Sequence, residues 1–185
     1  LGCKVVAVSD VASGVYNKNG LDIHDVSDYI AKKRTLSGYP NGEPISNENL
    51  LGLDVEILIP AAIDGVIHNK NVGNIKAKLI AEGANGPITA DAHKFLVEKG
   101  VWIIPDVLCN AGGVIVSYFE WVQGLQNFFW SEEEVNQKLK HAMVNAFDRV
   151  LANMTKHKLK DMKIAALITG VERLNRAMLL RGLFP

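Results

Sequence analysis

Two asparagines stand in short, glycine-flanked loops, each following an apolar run that is typical of a buried β-strand. Asn85 lies within Glu82–Pro87, directly after the run Lys78–Ala81, and Asn110 lies a few residues beyond the run Val101–Ile104. A side-chain amide carries both a donor and an acceptor, which suits a carboxamide such as nicotinamide, and small neighbours let a flat ring approach the backbone. These residues predict a nucleotide-binding loop, unless each amide only bonds the backbone of its own loop, as asparagine readily does.

An acidic residue, Asp10, ends a third apolar run, Lys4–Ser9. At the end of the second strand of a dinucleotide-binding fold, such a carboxylate accepts hydrogen bonds from the adenosine ribose and disfavours a 2′-phosphate. The alternative is that Asp10 only opens the turn Asp10–Gly14. The sequence contains no G-x-G-x-x-G, so if the ribose role holds, we expect that phosphate-binding loop upstream of Leu1.

A hydroxyl, that of Ser117, lies seven residues after Asn110, about two helical turns, so the two residues can share one helix face. Such a hydroxyl can bind a substrate carboxylate, or it can simply bond the carbonyl four residues back. Between them, Gly112 and Gly113 open a helical pattern at a cost of about 1 kcal/mol each relative to alanine. That cost indicates a backbone against which something must pack, or a helix that must flex.

The elements that position these residues alternate along the chain. The predicted strands are Lys4–Ser9, Val55–Pro60, Lys78–Ala81 and Val101–Ile104. The predicted helices between them are Asp22–Lys33, Asn71–Ala77 and Ala90–Lys99, with turn-rich residues up to Gly20 and a loop at Gly38–Glu48. Alternation of this kind predicts an α/β fold with a parallel sheet, and ligands of such sheets bind at the carboxyl ends of the strands.

Beyond Asn110 nearly the whole sequence predicts helix. Ser131 and Glu134 form a capping-box pattern at the start of one helix, and Asp161 is a candidate cap for the last helix, which we expect to end at Gly182. Both helices carry apolar stripes that we expect to lie in the core. The stripe of the last helix comprises Ile164, Leu167, Ile168, Val171, Leu174 and Met178.

Composition excludes several classes of partner. The 185 residues carry 20 basic and 20 acidic side chains, and this balance argues against binding to nucleic acid or to an anionic membrane. The two cysteines, Cys3 and Cys109, lie far apart and lack metal-ligand spacing, so we expect no metal site and free thiols in a reducing compartment. We therefore expect a cytoplasmic protein, or one of the mitochondrial matrix if the source is eukaryotic.

Four motifs, in order, carry a resemblance to a known family. They are Val6–Asp10 (VAVSD), Ile59–Ala62 (IPAA), Ala81–Pro87 (AEGANGP) and Asn110–Trp121 (NAGGVIVSYFEW). Together they resemble the C-terminal nucleotide-binding part of the Glu/Leu/Phe/Val dehydrogenases, and the Ser-Tyr-Phe-Glu-Trp ending is similar to the glutamate branch. The implied fold is a Rossmann-like, doubly wound, mostly parallel sheet followed by C-terminal helices and incomplete at its N-terminus.

The resemblance implies a cofactor site for NAD or NADP. Ser9 and Asp10 would lie against the adenosine ribose, Ala61 and Ala62 would line the cofactor cleft, and Asn85 would sit by the nicotinamide ribose. Asp10 favours NAD, but the choice between NAD and NADP stays open because phosphate-contacting positions would lie partly upstream.

The resemblance also implies a substrate site for L-glutamate and 2-oxoglutarate. Asn110 would contact both nicotinamide and substrate, while Val114 and Ser117 would face the substrate side chain, with Ser117 bonding its distal carboxylate. The catalytic lysines and aspartate of the family lie in an N-terminal domain with no match here, so we expect these residues alone to be inactive. Two alternatives remain open: a segment of a leucine, phenylalanine or valine dehydrogenase, or a non-catalytic nucleotide-binding module.

The same resemblance implies a domain arrangement. Residues 1–108 would form an incomplete dinucleotide-binding domain, and residues 109–185 would form the C-terminal helical part of that domain. The last helix would brace a missing N-terminal substrate domain, and the full-length protein would assemble as a homo-hexamer.

Overall fold

The computed structural model describes residues 2–182, in which strands and helices alternate along the chain. The α/β class is therefore confirmed. The strands are β1 Ala7–Ser9, β2 Gly14–Tyr16, β3 Glu43–Ile45, β4 Ile57–Leu58, β5 Leu79–Ala81 and β6 Trp102–Ile104. The helices are α1 Ile23–Lys33, α2 Asn47–Leu51, α3 Ala90–Glu98, α4 Asp106–Cys109, α5 Gly112–Gln126, α6 Glu132–His157 and α7 Met162–Arg181, with a 3₁₀ turn at Val72–Asn74.

The described chain divides into two compact units, of which the first holds residues 1–58 and 69–77. Its strands form an antiparallel sheet in the order β1-β2-β3, with Val8 opposite Val15 and Val15 opposite Pro44. The prediction of a parallel strand at Lys4–Ser9 is wrong in this respect, because β1 pairs with β2 and the pairing is antiparallel. The cause is local: Oδ1 of Asp10 accepts the amides of the two turn residues Ala12 and Ser13, which folds the chain back on itself.

Helix α1 begins where the sequence predicts, since the Asp22 carboxylate accepts hydrogen bonds from the backbone amides of His24 and Asp25. Val26 of this helix is buried in a small core. The other buried members of that core are Val15, Leu21, Leu36 and Tyr39. The predicted turn-rich segment before Gly20 and the predicted loop Gly38–Glu48 are wrong in part, because they contain β2, β3 and the start of α2. Glycine, proline and asparagine hide these short strands from a periodicity argument.

Among the described residues, the second unit holds 59–68 and 78–182. Strands β5 and β6 pair in parallel, with Ile80 opposite Ile103, and both of these side chains are buried. Because neighbouring parallel strands end at the same edge of a sheet, the loops that follow β5 and β6 emerge side by side. This pairing positions the two asparagine-bearing loops.

The C-terminal helices begin as the sequence predicts. Ser131 and Glu134 form the capping box of α6, and the Asp161 carboxylate accepts the Lys163 amide at the start of α7. Gly182 caps the end of α7 with a φ of 83°. The predicted helix Asn71–Ala77 is wrong, since only the 3₁₀ turn forms there.

The prediction that the α7 stripe lies in the core is wrong for most of its length. Only Met162 and Ala165 of this helix are buried, whereas Leu167, Val171, Leu174 and Met178 are each more than half exposed. Helix α7 packs on α6, α4 and β6, and the rest of its apolar face is left uncovered by residues 2–182. No helix within that range is long and apolar enough to span a membrane.

Candidate functional site

A cleft of about 1000 Å³ lies at the carboxyl end of β5 in the second unit. Three chain segments that the sequence analysis places at strand ends supply most of its walls. The lining residues are Ala62, Ile63, Asp64, Gly83, Ala84, Asn85, Gly86, Asn110 and Val114. The structure therefore brings together four of the predicted site residues, namely Ala62, Asn85, Asn110 and Val114.

The two asparagine amides bond each other across the cleft wall. Nδ2 of Asn110 donates to Oδ1 of Asn85 at 2.7 Å, and it also lies 3.4 Å from the carbonyl oxygen of Gly83. Asn110 thus bonds the neighbouring loop and not its own. Within residues 2–182 this pairing engages the acceptor of Asn85 and one donor of Asn110. The acceptor of Asn110 and the donor of Asn85 are complementary to a ligand amide or hydroxyl.

The loop that carries Asn85 is held closely against the segment after β4. The amide of Ala84 donates to the carbonyl of Pro60 at 2.9 Å, and the amide of Gly65 donates to the carbonyl of Gly86 at 2.9 Å. A Cβ atom at Gly83 would lie 3.0 Å from Cβ of Ala61. Ala61 therefore lies against the loop, and Ala62, not Ala61, is a lining residue of the cleft.

Ser117 lies on α5, one turn beyond Val114, and is exposed. Its Oγ donates to the carbonyl oxygen of Gly113 at 3.1 Å, which is the bond to the carbonyl four residues back. Ser117 is not a lining residue of the cleft. Its role toward a substrate carboxylate stays a prediction, and it requires the hydroxyl to exchange this helical bond for one to the ligand.

The remaining predicted residues, Ser9 and Asp10, lie at the end of β1 in the first unit. Oδ2 of Asp10 accepts the Leu36 amide at 2.8 Å, in addition to the two turn amides on Oδ1. The hydrogen bond from Leu36 is the largest cause of a lowered pKa for this carboxyl, so Asp10 is ionised at neutral pH. The turn role is thus present in the structure, and Ser9 is exposed beside it.

Two acidic residues behind the cleft were given no role by the sequence analysis. Glu82 is fully buried, and its Oε2 accepts the Asp106 amide at 2.9 Å. Oδ2 of Asp106 accepts the Gly86 amide at 2.8 Å. Burial raises the pKa of Glu82; burial also acts to raise the pKa of Asp106, but hydrogen bonds, first that from Gly86, outweigh it and lower the value. An acidic residue directly after a run that predicts a buried strand is the sequence signal from which Glu82 could have been identified.

The sequence that forms these loops belongs to a match with a known protein family. The family model of the Glutamate/Leucine/Phenylalanine/Valine dehydrogenases matches residues 1–182. The chain belongs to this dehydrogenase family. The match extends over both compact units and therefore includes Asp10 as well as the paired asparagines.

Relatives within this dehydrogenase family are named glutamate dehydrogenases. The chain is 48% identical over 185 residues to the glutamate dehydrogenase of Thermotoga maritima, covering 100% of this chain and 44% of that protein. It is 46% identical over 184 residues to the catabolic NAD-specific glutamate dehydrogenase RocG of Bacillus subtilis, covering 98% of this chain and 42% of that protein. The chain thus spans less than half the length of these curated relatives.

Solved structures agree with this assignment. The hetero-hexameric glutamate dehydrogenase of Thermus thermophilus, in its Leu-bound form, superposes with a TM-score of 0.89 at 33% identity, covering 98% of this chain and 42% of that one. The glutamate dehydrogenase of Peptoniphilus asaccharolyticus superposes with a TM-score of 0.81 at 32% identity, covering 99% and 42%. The dehydrogenase chain therefore shares its fold with under half of each of these enzymes.

Proposed function

We propose that this chain is the cofactor-binding segment of a glutamate dehydrogenase, which converts L-glutamate to 2-oxoglutarate and ammonia with NAD or NADP. The observation that carries the proposal is the pair of amides, Asn85 and Asn110, joined at 2.7 Å in the cleft beyond β5. Two features support the glutamate branch: the two relatives described above bear that name, and Ser117 offers a hydroxyl to a second carboxylate.

Each predicted site residue has a part in this proposal. Asn110 presents its free acceptor to the nicotinamide carboxamide and to the substrate ammonium group, and Asn85 donates to the nicotinamide ribose. Ala62 leaves room for the flat cofactor, Ala61 lies beside it against the loop that carries Asn85, and Val114 packs against the substrate side chain. Ser9 and Asp10 bind the adenosine ribose, and the Asp10 carboxylate, ionised because of its lowered pKa, uses the acceptor site left beside the three backbone amides that it already accepts.

When bound, the nicotinamide ring supplies the hydride acceptor for the α-carbon of the amino acid. The chemistry also needs a base for the ammonium proton and a cation beside the developing oxyanion. Neither Asn110 nor Ser117 can act as either group, since an amide and an aliphatic hydroxyl do not titrate near neutral pH. We therefore propose that these groups reside in another part of a longer polypeptide, and that residues 1–185 alone are inactive.

We further propose a Rossmann-like, doubly wound sheet for the whole cofactor domain, with residues 1–108 and 109–185 as parts of it. The apolar face of α7, exposed at Leu167, Val171, Leu174 and Met178, would pack against a substrate domain in a homo-hexamer. Several exposed apolar side chains on one helix face are typical of an interface.

The test measures the reduction of NAD or NADP by L-glutamate and by L-leucine, using the complete protein that contains these residues. We expect L-glutamate to reduce NAD or NADP, and Asn110→Ala to lower kcat/KM by about 100-fold, a loss of about 3 kcal/mol for two ligand hydrogen bonds. Ser117→Ala, as the matched change one turn beyond the cleft, should raise KM for L-glutamate and leave turnover of L-leucine unchanged. A wild-type protein that oxidises L-leucine, L-phenylalanine or L-valine in preference to L-glutamate would favour the other branches, and one that binds NAD without turnover would favour a non-catalytic module.

A further inference from the structure

We propose that Glu82 and Asp106 form a brace that fixes the two candidate cofactor-binding loops against each other, so that both acids are positioning residues for Asn85 and Asn110. The brace consists of the Glu82 carboxylate on the Asp106 amide and the Asp106 carboxylate on the Gly86 amide. Its geometry stands independently of the function, but its ligand, NAD or NADP, rests on the function proposed above.

The two bonds hold the loop at both of its ends. Glu82 is the residue at which the chain leaves β5, and its Oε2 accepts the Asp106 amide at 2.9 Å. Gly86 lies immediately after Asn85, and its amide donates to Oδ2 of Asp106 at 2.8 Å. Asp106 is also the first residue of α4, which ends at Cys109, directly before Asn110. Asp106, in the loop that follows β6, thus holds both ends of the loop that follows β5.

The asparagine pair completes a closed ring of contacts. Asn110 donates to Asn85 at 2.7 Å, so the two loops are also joined through these side chains. The loop needs such support because it contains two glycines, and Gly86 adopts a left-handed φ of 55°. Glycines lose more conformational entropy on ordering than other residues do, so an unbraced loop would hold the Asn85 amide in many positions.

The burial of Glu82 argues for a specific role. Its side chain is fully buried, and its Oε1 has no hydrogen-bond partner among the described residues. The nearest cation is the Lys163 ammonium at 3.9 Å, on a side chain that is one-third exposed. A buried acid with one unsatisfied oxygen costs stability. The hydrogen bond that the other oxygen, Oε2, accepts from the Asp106 amide explains why a glutamate occupies this position.

The test compares variants of Asp106 and Glu82, with a control variant, in the complete protein by the dissociation constant for NAD and by steady-state kinetics. Asp106→Ala removes the acceptor for the Gly86 amide, and we expect it to weaken NAD binding by about tenfold or more, the worth of one charge-assisted hydrogen bond. Asp106→Asn keeps an acceptor oxygen and should stay within about threefold of wild type. Leu96→Ala, at a fully buried site on α3 outside the cleft, is the control that lowers stability and leaves NAD affinity unchanged.

The relative effects of a variant on KM for NAD and on kcat distinguish a positioning residue from a catalytic one. We expect Asp106→Ala and Glu82→Ala to raise KM for NAD more than they lower kcat, and Glu82→Gln, which keeps an acceptor for the Asp106 amide, to restore most of the affinity. If Asp106→Ala does not fold, Asp106→Glu, which displaces the carboxylate by one methylene, must weaken NAD binding in the same sense.

The outcomes separate this inference from the proposed function. If the wild-type protein binds neither NAD nor NADP, the proposed function is wrong. If the wild type binds and turns over L-glutamate, but Asp106→Ala or Asp106→Glu loses no more affinity than Leu96→Ala, the brace alone is wrong.

Discussion

Replacing Gly113 by alanine should change the stability of the fold and the binding of a ligand in opposite senses. A Cβ atom at this position, the second residue of α5, would meet no atom within 4 Å. Gly113→Ala therefore adds no steric cost to the folded chain, and it removes conformational freedom from the unfolded chain. We expect it to raise the free energy of unfolding by about 0.4–1 kcal/mol, which corresponds to about 1–4 °C in Tm for a chain of this size.

The same methyl group should impair ligand binding. Val114, the next residue, lines the cleft, and glycine permits close approach of a ligand to backbone. We expect Gly113→Ala to raise KM for NAD or L-glutamate by about tenfold, a cost of about 1.4 kcal/mol. The matched control is Gly124→Ala, on the same face three turns along α5, where a Cβ also meets no atom within 4 Å. It should give the same rise in Tm with unchanged KM. A Gly113→Ala protein that is more stable and binds both ligands as wild type would refute the argument.

Three further predictions follow from the contacts described above. Gly83→Ala places a methyl 3.0 Å from Cβ of Ala61 and should lower the free energy of unfolding by about 1–3 kcal/mol in urea, whereas an unchanged midpoint would show that the two segments separate freely. Asp10→Asn should lower stability at pH 7, and the difference from wild type should vanish as the pH falls below the ordinary pKa of an aspartate and through the lowered pKa of Asp10; a difference that grew with acidification would contradict the hydrogen bonds from Leu36 and the turn. Leu174→Lys, at an exposed site, should change stability of the 185-residue chain by less than about 0.5 kcal/mol yet impair assembly of the complete protein in size-exclusion chromatography.

Signals that act over a few residues could be recognised in the sequence. The Asp22 cap, the Ser131–Glu134 capping box and the Asp161 cap all involve neighbours within three residues, and the structure has all three. The hairpin β1–β2 was missed because β2 has only three residues, Gly14–Tyr16, which are too few to show an alternation. The apolar stripe of α7 was correctly located, but whether a stripe is covered depends on partners that the pattern does not contain.

The candidate site, like the fold, could be predicted from the sequence only in part. Strand-end logic placed Asn85 and Asn110 at one edge, because parallel strands end together, and the structure has the two amides in contact. Glu82 and Asp106 stand at the same two strand ends, but the sequence pattern does not show which backbone amide each carboxylate accepts, so they were given no role. Ser117 shares a helix with the cleft residue Val114, but its hydroxyl bonds its own helix.

The most direct test of the central claim is a double-mutant cycle on the dissociation constant for NAD, using Asn85→Ala, Asn110→Ala and the double variant in the complete protein. Because the two amides bond each other and are proposed to hold one ligand, each single change should weaken NAD binding by about tenfold, or about 1.4 kcal/mol, and the double variant should fall short of the sum by about 0.5–1.4 kcal/mol of coupling. Binding of NAD with the affinity of the wild type in all three variants would contradict the account.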